Sequence, residues 1–364
     1  MRVRVSPRRV SVVEKIKVAV VDDSLFIRTI LTDMLNADPE IEVVGVAKDG
    51  IEAIKLVGDK EVDVVTMDIV MPRADGLHAL ERIMRMKEPP SVVMLSAADR
   101  ASADTVMKSL EIGAFDFILK PASTSSTDIL RLKWEITSKI KAAFKSEFKR
   151  APEECVADLH AEPKEAKAAP SSDRVIAIGS STGGPVALRY ILTCMPARLP
   201  APIVIAQHMP KAFTESFAER IGKKTRIKIK EAREGDVLKD AHAYIAPGDR
   251  HMRIFSNEKR KLEVAFDEGG RIGGGRPSAD ILLSSAAEAA GNKAIGVILT
   301  GMGADGARGI KKIKEAGGFT IAQDEETSLV WSMPHSAIKL GVVDRVLPIQ
   351  DIPAALLSRL GVRP

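Results

Sequence analysis

The chain has 364 residues, of which 45% are hydrophobic and 28% charged, with a net charge of +5. That length accommodates two domains with full cores, and the composition excludes a disordered or fibrous protein. With only 4% aromatic residues the cores must be aliphatic, and no apolar run approaches the ~18 residues that a membrane span requires.

The basic charge is concentrated at the start. Residues 1–15 hold Arg2, Arg4, Arg8, Arg9 and Lys15 against Glu14, so the remainder is nearly neutral and gives no reason to expect a nucleic-acid partner. This segment has no apolar core of the kind a signal peptide needs, and it reads as a disordered tail.

Lys17–Val21 reads as a buried strand with Asp22 and Asp23 at its end. Asp63–Met67 is a second, ending in Asp68 and followed by Met71-Pro72. Val92–Leu95 is a third, followed by Ser96, and Phe115–Leu119 a fourth, running into Lys120-Pro121. Strands alternating with helical segments imply a parallel sheet covered on both faces, and such sheets gather ligands beyond the carboxyl ends of their strands. Three carboxylates and a lysine would therefore converge. Clustered carboxylates repel one another unless a cation neutralises them, and oxygen ligands of this kind suit Mg²⁺.

Residues 16–140 resemble a receiver domain of two-component signalling. The resemblance implies a flavodoxin-like fold, Asp68 as phosphoacceptor, and Mg²⁺ held by Asp22, Asp23, Asp68 and Val70. It implies Lys120 as the switch lysine that contacts the phosphoryl group, Ser96 as the switch hydroxyl and Phe117 as the switch aromatic. It also implies a histidine kinase as phosphodonor.

Ile129–Lys149 carries apolar residues at helical spacing: Leu132, Ile136, Ile140, Phe144 and Phe148. From Arg150 to Asp173 the composition shifts to Ala, Pro, Glu and Lys with no core-forming face, so residues 141–172 read as a helix end and an interdomain linker. Neither Cys155 nor Cys194 belongs to a metal-binding or redox motif, which fits a reducing compartment.

The alternation then resumes. Ile176–Ile178 is a strand, Gly179-Ser180-Ser181-Thr182-Gly183-Gly184-Pro185 a tight turn, and Val186–Leu192 a helix. A hydroxyl at such a turn meets backbone N–H groups and the positive end of a helix dipole, which suits a serine nucleophile and a phosphate-cradling loop equally well. A P-loop would carry a lysine after the glycines, and this turn does not. Ile203–Ala206 is a strand ending at Gln207-His208-Met209-Pro210, and Lys211–Gly222 is a helix. Arg253–Phe255 and Lys261–Phe266 read as a hairpin. Ala294–Leu299 is a buried strand running into Thr300-Gly301-Met302-Gly303-Ala304-Asp305-Gly306, with a helix over Ala307–Ala316. The fold class is thus α/β, with two doubly wound parallel-sheet domains, the second Rossmann-like with a small β-hairpin insertion.

Ser181, His208 and Asp305 all lie at strand ends, where the switch-point rule lets them meet. In that case Ser181 attacks a carbonyl carbon, His208 carries the proton, and Asp305 fixes the imidazole. The plainer alternatives are a hydrogen-bonding strand-end histidine and an aspartate that caps the following helix. His242, His251 and His335 compete for the base; His208 is preferred because it alone ends a buried strand.

Residues 173–362 resemble the catalytic domain of the CheB family of chemotaxis protein-glutamate methylesterases. The similarity rests on Gly179–Gly184, Gln207–Pro210, Ala246-Pro247-Gly248, Arg276-Pro277-Ser278, Leu299–Gly306 and Ala322-Gln323-Asp324. It implies Ser181 as nucleophile, His208 as base, Asp305 as acid and the Met302 N–H as an oxyanion donor. Ser180 stands where alanine is common in the family. Further implications are a cytoplasmic enzyme that hydrolyses glutamate γ-methyl esters on methyl-accepting chemoreceptors, deamidates glutamine, needs no cofactor for the ester chemistry and does not insert into membranes. A receiver-controlled serine hydrolase acting on another ester or amide is the alternative.

Overall fold

A computed structural model describes residues 15–97, 99–120, 126–146, 173–270 and 275–362. The basic tail, the segment from Arg150 to the end of the linker, Cys155 and Phe148 lie outside the described residues. Two compact units are present: the residues up to Ser96 with Phe117–Lys145, and Ala97–Asp116 with the residues from 173 onward.

In chain order the first part contains β1 (Ile16–Val21), α1 (Leu25–Asn36), β2 (Ile41–Ala47), α2 (Gly50–Asp59), β3 (Val64–Asp68), α3 (Gly76–Ile83), β4 (Ser91–Ser96), α4 (Arg100–Ile112), β5 (Asp116–Leu119) and α5 (Ser126–Lys145). The sheet order is β2-β1-β3-β4-β5, the flavodoxin-like order. Val18, Val20, Val65 and Val93 are fully buried, as expected of central parallel strands, and Ile118 on the edge strand β5 is buried as well. Side-chain oxygens of Ser24, Asp49 and Asp75 accept the N–H groups of Ile27, Glu52 and His78, which starts α1, α2 and α3 where the apolar periodicity begins. By contacts α4 belongs to the second unit, although it lies within the expected 16–140 receiver segment. Along α5, Leu132, Ile136 and Ile140 are buried as the spacing predicts, whereas in the last turn Ala143 takes the buried position and Phe144 is 47% exposed.

The second part contains β6 (Val175–Ser180), α6 (Gly184–Thr193), β7 (Ile203–Gln207), α7 (Lys211–Gly222), β8 (Lys228–Glu231), β9 (His242–Ile245), β10 (His251–Ser256), β11 (Leu262–Asp267), α8 (Ala279–Ala290), β12 (Ala294–Ile298), α9 (Ala307–Glu315), β13 (Phe319–Gln323), α10 (Ser332–Lys339), β14 (Arg345–Leu347) and α11 (Ile352–Leu360). Seven parallel strands run in the order β14-β13-β12-β6-β7-β9-β8, and β10 pairs antiparallel with β11 as the expected hairpin. The chain goes from β6 to β7 on one side and later adds β12 on the other. The switch point therefore falls at the carboxyl end of β6, where Ser181 emerges.

Candidate active site and phosphoacceptor site

The adjacent strands β12, β6 and β7 end together. The Ser181 N–H donates to the Thr300 carbonyl (3.1 Å) and the His208 N–H to the Ser180 carbonyl (3.0 Å), so the ladders extend one step beyond the regular strands. This extension brings the Ser181 turn, the His208 turn and the 300–306 loop to one edge. Ser180 and Ser181 alternate across the strand end, which separates their fates. Ser180 is fully buried, and its hydroxyl donates to Gln207 Oε1 (2.7 Å); Ser181 is half-buried.

Gln207 is the last residue of β7. Besides accepting from Ser180, it donates through Nε2 to the carbonyls of Ser181 and His208, both at 3.0 Å. One buried amide therefore ties the two turns together where strand pairing has ended. Thr300 does the same on the other flank, donating from Oγ1 to the Thr182 carbonyl (2.9 Å). The sequence pattern assigns neither residue a role; the signal it carries is a polar residue closing a buried strand at Gln207 and one just beyond a buried strand at Thr300.

His208 Nε2 lies 2.8 Å from Asp305 Oδ2. The Asp305 carboxylate accepts three further bonds: at Oδ2 from the Ala279 N–H (2.7 Å), and at Oδ1 from the Ser278 hydroxyl (2.8 Å) and the Asp280 N–H (2.9 Å). The expected alternative, Asp305 capping the helix that follows it, is not what the chain does: the residue at the start of α9 is Gly306. Asp305 instead meets the first N–H groups of α8, whose N-cap is Ser278. Burial pushes the Asp305 carboxyl upward, but the His208 bond and charge and the N–H groups of Asp280 and Ala279 outweigh it and hold the group below its ordinary range. An ionised carboxylate only accepts hydrogen bonds, so Nε2 carries the proton and the neutral imidazole keeps its lone pair on Nδ1. Among the described residues no hydrogen bond joins the Ser181 hydroxyl to that ring; catalytic bonds of this kind are often long before substrate enters.

Met302 lies in the loop beside Ser181. A Cβ placed on Gly301 would come within 2.8 Å of the Ser181 Cβ, so this loop abuts Ser181 at backbone distance. Among the described residues the Met302 N–H donates to no protein oxygen. The competing histidines are engaged elsewhere: His242 Nδ1 with the Asp240 carbonyl, His251 Nε2 with the Gly270 carbonyl, and His335 stacked on Trp331.

At the end of the receiver-like sheet, carboxylate oxygens of Asp22, Asp23 and Asp68 lie within 4.8 Å of one another. Lys120 Nζ sits 2.7 Å from Asp22 and 2.8 Å from Asp68. One lysine against three carboxylates leaves excess negative charge, which is the condition a divalent cation would relieve. Burial and the charges of Asp22 and Asp23 push the Asp68 carboxyl above its ordinary range, despite Lys120. Val70 follows β3, and its side chain is 71% exposed and apolar, so only its backbone carbonyl has an oxygen to offer a metal. Ser96 and Phe117 are both buried; Ser96 closes β4 and its carbonyl accepts the Lys120 N–H (2.8 Å).

Fold and sites together define a response regulator with an enzymatic α/β output domain. Residues 18–129 match the response regulator receiver domain, and residues 176–356 match the CheB methylesterase domain. A protein-glutamate methylesterase/protein-glutamine glutaminase of Pyrococcus horikoshii is 44% identical over 349 residues, covering 96% of this chain and 94% of the relative. A Pseudomonas aeruginosa protein of the same name, numbered 2, is 40% identical and covers 96% of this chain and 98% of its own length. The crystal structure of the Thermotoga maritima CheB methylesterase catalytic domain, 44% identical, superposes with a TM-score of 0.51 over 52% of this chain and 99% of that domain. The chain belongs to the CheB methylesterase family. No described helix is long and apolar enough to cross a membrane.

Proposed function

We propose that this chain hydrolyses glutamate γ-methyl esters on the cytoplasmic helices of chemoreceptors, under control of phosphorylation at Asp68. The observation that carries the reading is the His208–Asp305 pair at the strand edge beside the Ser181 turn. The Ser181 hydroxyl adds to the ester carbonyl while His208 Nδ1 takes its proton, and the Met302 N–H receives the developing oxyanion. Collapse of the adduct breaks the C–O bond; methanol leaves with the proton from His208, and a glutamyl ester remains on Ser181. Water, deprotonated by the same nitrogen, hydrolyses that ester to glutamate and free enzyme. A glutamine side chain enters the same sequence with ammonia as leaving group. Each turnover leaves one more negative charge on a receptor helix.

At the receiver, Asp22, Asp23, Asp68 and the Val70 carbonyl are the groups that would hold Mg²⁺, with a chemotaxis histidine kinase as phosphodonor. Bound there, the cation offsets charge as a phosphoryl group approaches the carboxylates. Lys120 is positioned to contact the phosphoryl oxygens through its ammonium, and Asp68 is the acceptor. Labelling by a small-molecule phosphodonor is expected to require Mg²⁺ and to vanish in Asp68→Asn.

The test is methanol release from methylated receptor membranes, with and without phosphodonor. Ser181→Ala is expected to abolish release. Activity retained in Ser181→Ala but lost in Ser180→Ala would overturn the choice of nucleophile.

A further inference from the structure

Two short segments, Thr300–Gly303 and Val330–Met333, are joined along their backbones next to Ser181. The Val330 N–H donates to Thr300 Oγ1 (2.9 Å), the Gly301 N–H to the Val330 carbonyl (2.8 Å), and the Met333 N–H to the Gly301 carbonyl (3.0 Å). The last two of these bonds run backbone to backbone and the first uses the Thr300 side chain; the Ser332 side chain adds a further link. The Ser332 hydroxyl donates its single proton to the Gly301 carbonyl (2.9 Å) and accepts the Gly303 N–H (2.9 Å). One oxygen thus grips the residue before Met302 and the residue after it. It uses a hydroxyl's donor and one of its lone pairs, and it occupies the Gly303 N–H. The Met302 N–H is then the amide at the tip of this loop that no described group takes.

We propose that Ser332 is a positioning residue for acyl transfer: its hydroxyl brackets Met302 and fixes the direction in which the Met302 N–H points beside Ser181. The inference rests on the reading of Ser181 as nucleophile and Met302 as oxyanion donor. Its chemical logic is that a backbone N–H stabilises an oxyanion only if it is already aimed when the charge develops. Gly301 is already held by its two backbone bonds to Val330 and Met333, whereas Gly303, at φ 99°, has no side chain of its own to restrain it, and the hydroxyl supplies that restraint on the far side of Met302. Ser332 touches no reacting atom, so its effect must pass through the amide.

The test uses the full chain, phosphorylated, with methylated receptor membranes as substrate. Rates are normalised to acylatable sites counted from the burst with an activated ester. Ser332→Ala is expected to lower kcat per site by about 10- to 100-fold, less than or comparable to loss of an oxyanion donor itself. KM and the pH profile should stay as in the parent, because His208 and Asp305 are untouched. Affinity for an alkylboronic acid, which forms a tetrahedral anion on the serine, should fall by a similar factor, and Ser332→Thr should restore both. Ser332→Cys, which keeps the size and weakens both bonds, carries the same expectation should the alanine variant fail to fold. Unchanged kcat and boronate affinity would overturn the proposal. So would a loss confined to the number of acylatable sites, or a shifted pH profile. Failure of the underlying reading is visible separately, as activity surviving in Ser181→Ala.

Discussion

Asp68 closes β3 and Asp305 lies in the loop after β12, and their surroundings push the two carboxyls in opposite directions. Asp305 collects a histidine and the leading N–H groups of α8, which favour its ionised form. Asparagine at 305 keeps the shape but replaces one acceptor oxygen with an NH₂ that opposes the surrounding donors. The ring tautomer then loses its fixed partner, and Asp305→Asn is expected to reduce turnover by on the order of 10⁴-fold, as in comparable triads; single-turnover acylation of Ser181 measures it. An imidazole ¹⁵N spectrum of the parent enzyme should show the Nε2–H tautomer of His208. Asp68, in contrast, is buried beside two further carboxylates, and its raised pKa means that the folded state holds the proton more tightly than the unfolded chain. Between the ordinary carboxylate value and that raised value the native state loses stability as pH rises. Removing the charge should therefore stabilise. In Mg²⁺-free buffer at neutral pH, Asp68→Asn is expected to raise the receiver's melting temperature by a few degrees, with the gain shrinking as pH falls through the acid range. A lower melting temperature at neutral pH would show that the Lys120 contacts outweigh the repulsion.

At the scale of elements, the site depends on how closely turns can approach one another. Gly184 opens α6 directly after the Ser181 turn, and a Cβ there would lie 2.0 Å from Gln207 Oε1 and 2.9 Å from the Ser180 Cβ. Alanine favours helix over glycine by roughly 1 kcal/mol in an open setting, but here it would displace the amide that ties Ser181 to His208. Gly184→Ala is therefore expected to lose both thermal stability and kcat, measured by calorimetry and by methanol release, where propensity alone forecasts a gain. This is also where sequence reading reaches its limit. Apolar runs such as Ile203–Ala206 and Ala294–Leu299 mark β7 and β12 because central parallel strands are buried on both faces. The hairpin of β10 and β11 and the bounds of α7 are equally legible from pattern. Edge strands β8 and β14 carry charged residues and three or four positions, too few for a period to register. The roles of Gln207, Thr300, Ser278 and Ser332 are not periodic at all. They arise from hydrogen bonds across 26 to 118 positions of chain, which only the folded backbone brings together. Ser181, His208 and Asp305 are legible as candidates because each lies in the turn or loop after a recognisable strand, with the family resemblance choosing among the alternatives; the burial of Ser180 adds support for Ser181 that pattern cannot supply.

At the scale of the whole molecule, one chain joins a receiver to an enzymatic domain, and each family match stands in its own stretch of sequence. Covalent linkage of a phosphorylatable switch to an acyl-transfer site has functional value only if the state of Asp68 changes turnover. A restraint that is released needs little energy: a coupling of ~1–3 kcal/mol changes activity by about 5- to 150-fold. Release by phosphorylation is also the economical direction, because an unphosphorylated pool then stays quiet without a second regulator. The expectation is that the receiver holds the esterase down and that phosphorylation lifts the hold. A fragment beginning near Asp173 corresponds to the catalytic domain that crystallises by itself in the Thermotoga relative. It should hydrolyse receptor methyl esters without any phosphodonor, and faster than the unphosphorylated full chain. Asp68→Asn in the full chain should stay at the low rate whether or not donor and Mg²⁺ are supplied. Initial rates of methanol release, with circular dichroism to establish that the fragment is folded, decide the matter. A folded fragment slower than the intact unphosphorylated protein would mean that the receiver contributes to turnover even at rest, and that phosphorylation adds activation where the restraint model requires release.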